Sequence, residues 1–286
     1  MWPFDTSKSA SPARTHPYYP LGVEIAGYVA NHFSVTAILA IFSTACAAVF
    51  GLTHLAIPRV RRRAGLPSLP TGEGLTVFWF VLCGCIHLVL EGYYAANFRD
   101  LAAHSTVLGQ LWKEYALSDS RYLTNDSFVV CMETVTAVFW GPLSLVVAYM
   151  IATEHPLRHP LQIIVSLGQL YGDVLYYGTS TFDHVVFGMA YSRPEPYYFY
   201  GYYVFLNAFW IVIPAYLIVS SVKATSRAAK VVKKLERQLA SASVSVTRDE
   251  TSDDVAERTP TAVYASQSSS SWKGQGVRNS MRSRHH

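Results

Sequence analysis

Five apolar stretches, each about 20 residues long, constrain this chain more than any other feature: residues 34–57, 75–98, 127–152, 161–178 and 197–222. A helix of about 20 residues is long enough to cross the hydrocarbon core of a bilayer. Only 15% of the residues are charged and 51% are hydrophobic, against roughly 25% charged in soluble domains. The expected fold is therefore an all-α integral membrane protein, with five transmembrane helices around a membrane-embedded, polar-lined ligand cavity.

Lysine and arginine in short loops set the orientation. Arg59, Arg61, Arg62 and Arg63 follow the first stretch, and Lys223, Arg227, Lys230, Lys233 and Lys234 follow the fifth. Both ends are expected in the cytosol. The connections 99–126 and 179–196 carry only Arg99, Lys113, Arg121 and Arg193, and are expected on the other side together with the N-terminus. The net charge of +4 then reflects topology, and no nucleic-acid partner is expected. Residues 1–19 lack the apolar core of a cleavable signal peptide, so the first span is expected to act as the targeting signal. Cys46, Cys83, Cys85 and Cys131 all fall inside spans and read as small apolar fillers, not as a disulfide framework or a metal site.

Three regions differ in composition: a lead-in at 1–33, the membrane domain at 34–222, and a tail at 223–286. The start of the tail reads as a basic cytosolic helix with Val231, Val232, Leu235 and Leu239 as its apolar stripe, suited to anionic lipid headgroups. From about Ser241 the Ser/Thr-rich composition suggests disorder. Asn125-Asp126-Ser127 is a glycosylation sequon, but it abuts a span, where a transferase has poor access.

An ionised side chain at the centre of a bilayer costs roughly 2.5–3.5 kcal/mol on insertion scales, so such residues need partners. The second stretch carries His87 and Glu91, four apart on one helical face. The third carries Glu133, Thr136 and Trp140; the fourth Gln169, Asp173, Tyr176 and Tyr177; the fifth Asn207 and Trp210. Each polar stripe has helical spacing, and the simplest arrangement turns all four toward a common interior. Taken singly, Thr136, Asn207 and Gln169 are ordinary interhelical glue, Trp140 and Trp210 are packing or interfacial residues, and Asp173 sits near a span end. His87, Glu91 and Glu133 differ in kind, because packing does not require three ionisable groups in two spans.

Two carboxyl groups held in one site separate their pKa values, leaving one as acid and the other as base. A histidine beside a carboxylate adds a further proton carrier. Such a set can place a proton on one carbon and remove one from another, and an indole such as Trp210 offers a ring face to a transient cation. The sequence has no glycine-rich phosphate loop, no GxSxG and no HExxH. No cofactor is expected, and an isomerisation by proton shuttling fits better than oxidation or hydrolysis.

Several segments resemble the emopamil-binding protein family, the sterol Δ8,Δ7-isomerases of the endoplasmic reticulum that share the EXPERA membrane domain. They are IHLVLEG (86–92), QLWKEYALSDSRY (110–122), CMETVTA (131–137), WGPLSL (140–145), HPLRHPLQ (155–162), GQLYGDVLY (168–176) and FLNAFW (205–210), with HPYYPLG (16–22) in the lead-in. The resemblance implies functional roles for His87, Glu91, Glu133, Thr136, Asn207 and Trp210. It implies an endoplasmic reticulum membrane protein that takes a sterol, binds cationic amphiphilic amines, and moves a double bond by protonation at C9 and loss of a proton from C7. In that reading Asn207 and Thr136 orient the carboxylates, Trp210 stabilises the cation, and Asp173, Trp140 and Tyr176 line the substrate site. The aromatic-rich outer faces allow a homodimer. The chain departs from the family in its basic loop at 59–74, its segment at 181–196 and its long tail. Three rivals stand beside the sterol isomerase: a relative acting on another polycyclic terpenoid, a non-catalytic sterol or amphiphile-binding protein, and a proton or ion transporter. The three ionisable groups argue against the second, and the lack of inverted repeats argues against the third.

Overall fold

The computed structural model describes residues 16–257. Among these residues every regular element is helical. Helix α1, Val35–Arg63, starts on Ser34, whose hydroxyl accepts from the Ala37 amide, and ends on three arginines that suit its negative dipole end. Helix α2 spans Thr71–Asn97, and the short α3, Val107–Tyr115, is capped by Thr106. Helix α4, Ser127–Ala152, begins where the Asp126 carboxylate accepts from the Val129 amide. Helix α5, Arg158–Phe187, stops at Gly188, which takes the left-handed conformation (φ 68°) that glycine adopts without steric cost. Helix α6 begins as Tyr197–Leu206 and continues as Asn207–Glu257.

Four of these are long and apolar enough to cross a membrane: α1, α2, α4 and the Tyr197–Ser243 part of α6. Helix α5, where a fifth span was expected at 161–178, is 30 residues long but does not meet that apolarity. It is inside out: Gln162, Ser166, Gln169 and Asp173 are buried, while Ile164, Leu167, Tyr171, Val174 and Phe182 are exposed.

The chain divides into two compact units, one up to Lys230 and one from Val231 onward. In the second, Val231, Val232, Leu235 and Leu239 are all exposed. Helix continues through Glu257, across residues 241–257 whose composition suggested disorder; the rest of that tail lies outside the described residues.

Two apolar clusters organise the first unit. One is aromatic, built on Tyr94, Trp112, Tyr122, Tyr176 and Tyr203. The other is largely aliphatic, built on Val77, Phe80, Val147, Ile151, Val165 and Leu217. Helices α2, α4, α5 and α6 each contribute to both, and their polar stripes fall between the two contributions. At the aliphatic end Arg61, expected as a loop charge, is buried instead. It donates to the Ala152 carbonyl (3.2 Å) and Glu154 (2.8 Å), and to the Pro67 carbonyl, fastening the end of α1 to the end of α4.

Connections at the aromatic end form a cap. The lead-in is held to α3 by Gln110, whose side-chain oxygen accepts from the amides of His32 and Phe33 (both 2.9 Å), and by Lys113, which donates to the Val29 carbonyl (2.6 Å). The Arg193 amide donates to the Leu117 carbonyl (3.0 Å), drawing in the connection between α5 and α6. The connection after α2, expected on the non-cytosolic side, holds a run of buried polar residues from Ser118 to Arg121.

Candidate active site

His87 and Glu91 lie within a π-helical turn, His87–Glu91, and a second π turn, Thr136–Trp140, lies on α4. The two turns pack against each other. Such insertions change which residues share a face and recur at functional sites. His87 is 1% exposed, and its Nδ1 lies 2.8 Å from both oxygens of Glu91. On the other side of the ring, Gln169 Nε2 is 3.0 Å from Nε2. Trp210 approaches the same imidazole, with centroids 6.4 Å apart, and also packs on Trp79 at 5.5 Å.

Glu133 is buried, on the part of α4 that packs against the His87–Glu91 turn. Its Oε1 accepts from the hydroxyl of Tyr122, a cap residue whose ring stacks on Trp112 at 4.8 Å. Behind Tyr122 stands a buried ion pair. Arg121 grips Asp119 through Nη2 (2.6 Å) and Nε (3.0 Å), and donates to Thr179 (2.8 Å) and to the Tyr176 carbonyl (3.3 Å). Its guanidinium lies 5.0 Å from the centre of the Tyr176 ring.

The nine residues marked out by the sequence are not equally close to this cluster. His87, Glu91, Glu133 and Trp210 lie on packed faces of α2, α4 and α6, and Asp173, on the buried polar face of α5, has an Oδ2 without a hydrogen-bond partner among the described residues. Tyr176 is buried on the cap side. Trp140 lays its ring against Gly168, where no Cβ would fit, and so sets the spacing of α4 and α5. Two expected roles are not seen. Thr136 donates to the Met132 carbonyl (2.8 Å) of its own helix. Asn207 donates to Tyr115 (2.9 Å) and to the Tyr203 carbonyl (2.7 Å). Among the described residues, neither one orients a carboxylate. A threonine hydroxyl inside a helix readily bonds back to the carbonyl four residues earlier, and the tyrosine-rich cap offered Asn207 a nearer partner. Tyr122, Asp119 and Arg121 were missed as site residues, although all three lie in the 110–122 segment that carried the family resemblance.

Comparison with known proteins supplies the family. The sequence profile of EXPERA, the expanded EBP superfamily, matches residues 107–221. The 3-beta-hydroxysteroid-Delta(8),Delta(7)-isomerase of Mus musculus is 41% identical over 208 residues, which is 73% of this chain and 87% of the mouse protein. The chain belongs to the EXPERA family. A second EXPERA relative, the isomerase of the same name from Cavia porcellus, is 39% identical over 73% of this chain and 88% of its own length. Isomeliandiol synthase from Ailanthus altissima is 34% identical over 55% of this chain and 73% of its own length. In this EXPERA chain the profile match takes in Glu133, Gln169 and Trp210 together with most of the cap.

Proposed function

We propose that this protein is a sterol Δ8,Δ7-isomerase, an enzyme that moves one carbon–carbon double bond within a sterol. The observation that carries this reading is the pairing of buried His87 with half-buried Glu91 on a turn that packs against the helix bearing buried Glu133, in a chain 41% identical to the mouse isomerase. One carboxyl group gives a proton to C9 of the alkene, leaving a cation at C8. A carboxylate then takes the C7 proton, and the new alkene closes. Trp210, beside His87, presents a ring face to the cation, and cationic amines of sterol shape bind tightly because they resemble the charged intermediate.

The reading includes five spans and a cavity open to lipid. The inside-out character of α5 supports both, since its exposed apolar face suits lipid tails and its buried polar face suits a cavity wall. The unpartnered Asp173 Oδ2 and Gln169 Oε1 are further wall groups available to a ligand. The basic segments after α1 and within α6 belong in the cytosol by their charge, with the cap on the lumenal side of the endoplasmic reticulum membrane.

A second reading, a related isomerisation on another polycyclic terpenoid, is supported by the isomeliandiol synthase relative and by the distinctive 181–196 segment. Membranes containing the protein, supplied with a Δ8 sterol in deuterated water, test the first. The expected result is a Δ7 product carrying one solvent deuteron, abolished by Glu133→Gln. A well-folded wild type that leaves the sterol unchanged but rearranges a terpenoid alkene overturns it in favour of the second.

A further inference from the structure

His87 is held at both ring nitrogens. Nδ1 faces the Glu91 carboxylate at 2.8 Å, and an ionised carboxylate offers acceptors only. The proton of a neutral ring must therefore sit on Nδ1, leaving a lone pair on Nε2. The group facing that lone pair is the Gln169 carboxamide, 3.0 Å away, and its N–H is the donor the lone pair needs. Gln169 is itself 5% exposed, and among the described residues its carboxamide oxygen has no hydrogen-bond partner. It commits a donor to the ring nitrogen of His87 at 3.0 Å.

We propose that Gln169 is a positioning residue that locks His87 in the Nδ1–H tautomer aimed at Glu91, so that substrate protons pass through the Glu91 and Glu133 carboxyl groups and not through Nε2. This rests on the isomerase reading. An Nε2 lone pair already accepting from an amide has no free path to a substrate carbon. His87 instead steadies Glu91, as a partner on the outer side of a functional group steadies that group elsewhere. The step balances. A carboxyl O–H bond breaks as the alkene π pair forms the C9–H bond. The C7–H pair then closes the new alkene as its proton passes to the other carboxylate, and the enzyme ends with the number of protons it began with.

The test uses the full-length protein with Gln169→Leu, which removes the amide, and Gln169→Glu, which keeps the volume but replaces a donor with an acceptor. Both should elute as the wild type does on size exclusion in detergent. The expected result is a kcat lowered roughly 10–100-fold in each, with KM within about threefold of wild type. Ring 15N shifts of histidine-labelled protein, assigned by subtracting a His87→Asn spectrum, should give the Nδ1–H tautomer in wild type and a mixture in Gln169→Leu. An Nε2–H tautomer in wild type, or a Gln169→Leu variant with wild-type kcat and tautomer, overturns the assignment. Because the shifts do not depend on turnover, an Nδ1–H wild type that leaves Δ8 sterols unchanged would overturn the isomerase reading and still uphold the lock.

Discussion

The hydroxyl of Tyr122 donates to Glu133, tying a turn of the cap to the helix that carries the second carboxyl group of the site. The Tyr122 ring is held independently, by stacking on Trp112 and edge-on contact with Tyr94. Tyr122→Phe should keep that packing and lose only the bond. A neutral hydrogen bond contributes about 0.5–1.5 kcal/mol, so kcat for sterol isomerisation should fall roughly 2–10-fold with little change in melting temperature. Wild-type turnover in this variant would show that Glu133 does not depend on the cap.

Arg121 and Asp119 form an ion pair that is 1% and 0% exposed at the two side chains. Removing one partner strands a buried charge, which costs about 3–5 kcal/mol. Arg121→Gln and Asp119→Asn should each lower the melting temperature sharply, and the double variant should be less damaging than the sum of the two. A strictly additive double-mutant cycle would mean the two charges are solvated separately.

The parts of this fold legible in the sequence were those written in helical period. The apolar runs located α1, α2, α4 and α6, and the stripes singled out His87, Glu91 and Glu133 as ionisable residues inside spans, while Gln169, read as interhelical glue, faces His87 in the structure. The apolar run at 161–178 reads as a span, but α5 falls short of the apolarity of the other four because Gln162, Ser166, Gln169 and Asp173 are interior and depress its average hydropathy. Nor did composition reveal that Lys113, Glu114, Asp119 and Arg121, in the connection placed on the far side of the membrane, are buried. Thr136 and Asn207 were singled out correctly as polar residues inside spans, yet what each bonds depends on neighbours no periodicity reveals. The π turns at His87 and Thr136 have no composition cue at all.

Gly168 sits beneath the Trp140 ring, and a Cβ at this position would overlap the indole. Backbone conformation is not the reason for glycine here, since the residue is inside a regular helix; close approach is. Gly168→Ala should displace Trp140 and cost about 1–3 kcal/mol, as overpacking generally does, and Gly168→Val should cost more. Paired with Trp140→Phe, Gly168→Ala should be partly rescued. Tryptophan fluorescence and thermal melts in detergent read both effects, and an unshifted Gly168→Ala would place the indole elsewhere.

Glu114, on α3 in the cap, is 6% exposed, and the hydroxyl of Tyr202 reaches it only at 3.5 Å. Burial pushes its carboxyl above the usual range, with the Tyr202 hydrogen bond and the Arg193 charge opposing that shift in part. A carboxyl whose pKa is higher folded than unfolded favours the folded state while it is protonated. Its contribution is fully present below the ordinary carboxylate pKa of about 4.3 and is lost as pH rises through the folded value. Glu114→Gln imitates the protonated acid at every pH, so it should leave the melting temperature unchanged near pH ~4 and raise it relative to wild type near pH ~8. A variant that shifts stability equally at both pH values would show that the effect is steric, and that Glu114 carries no buried charge at neutral pH.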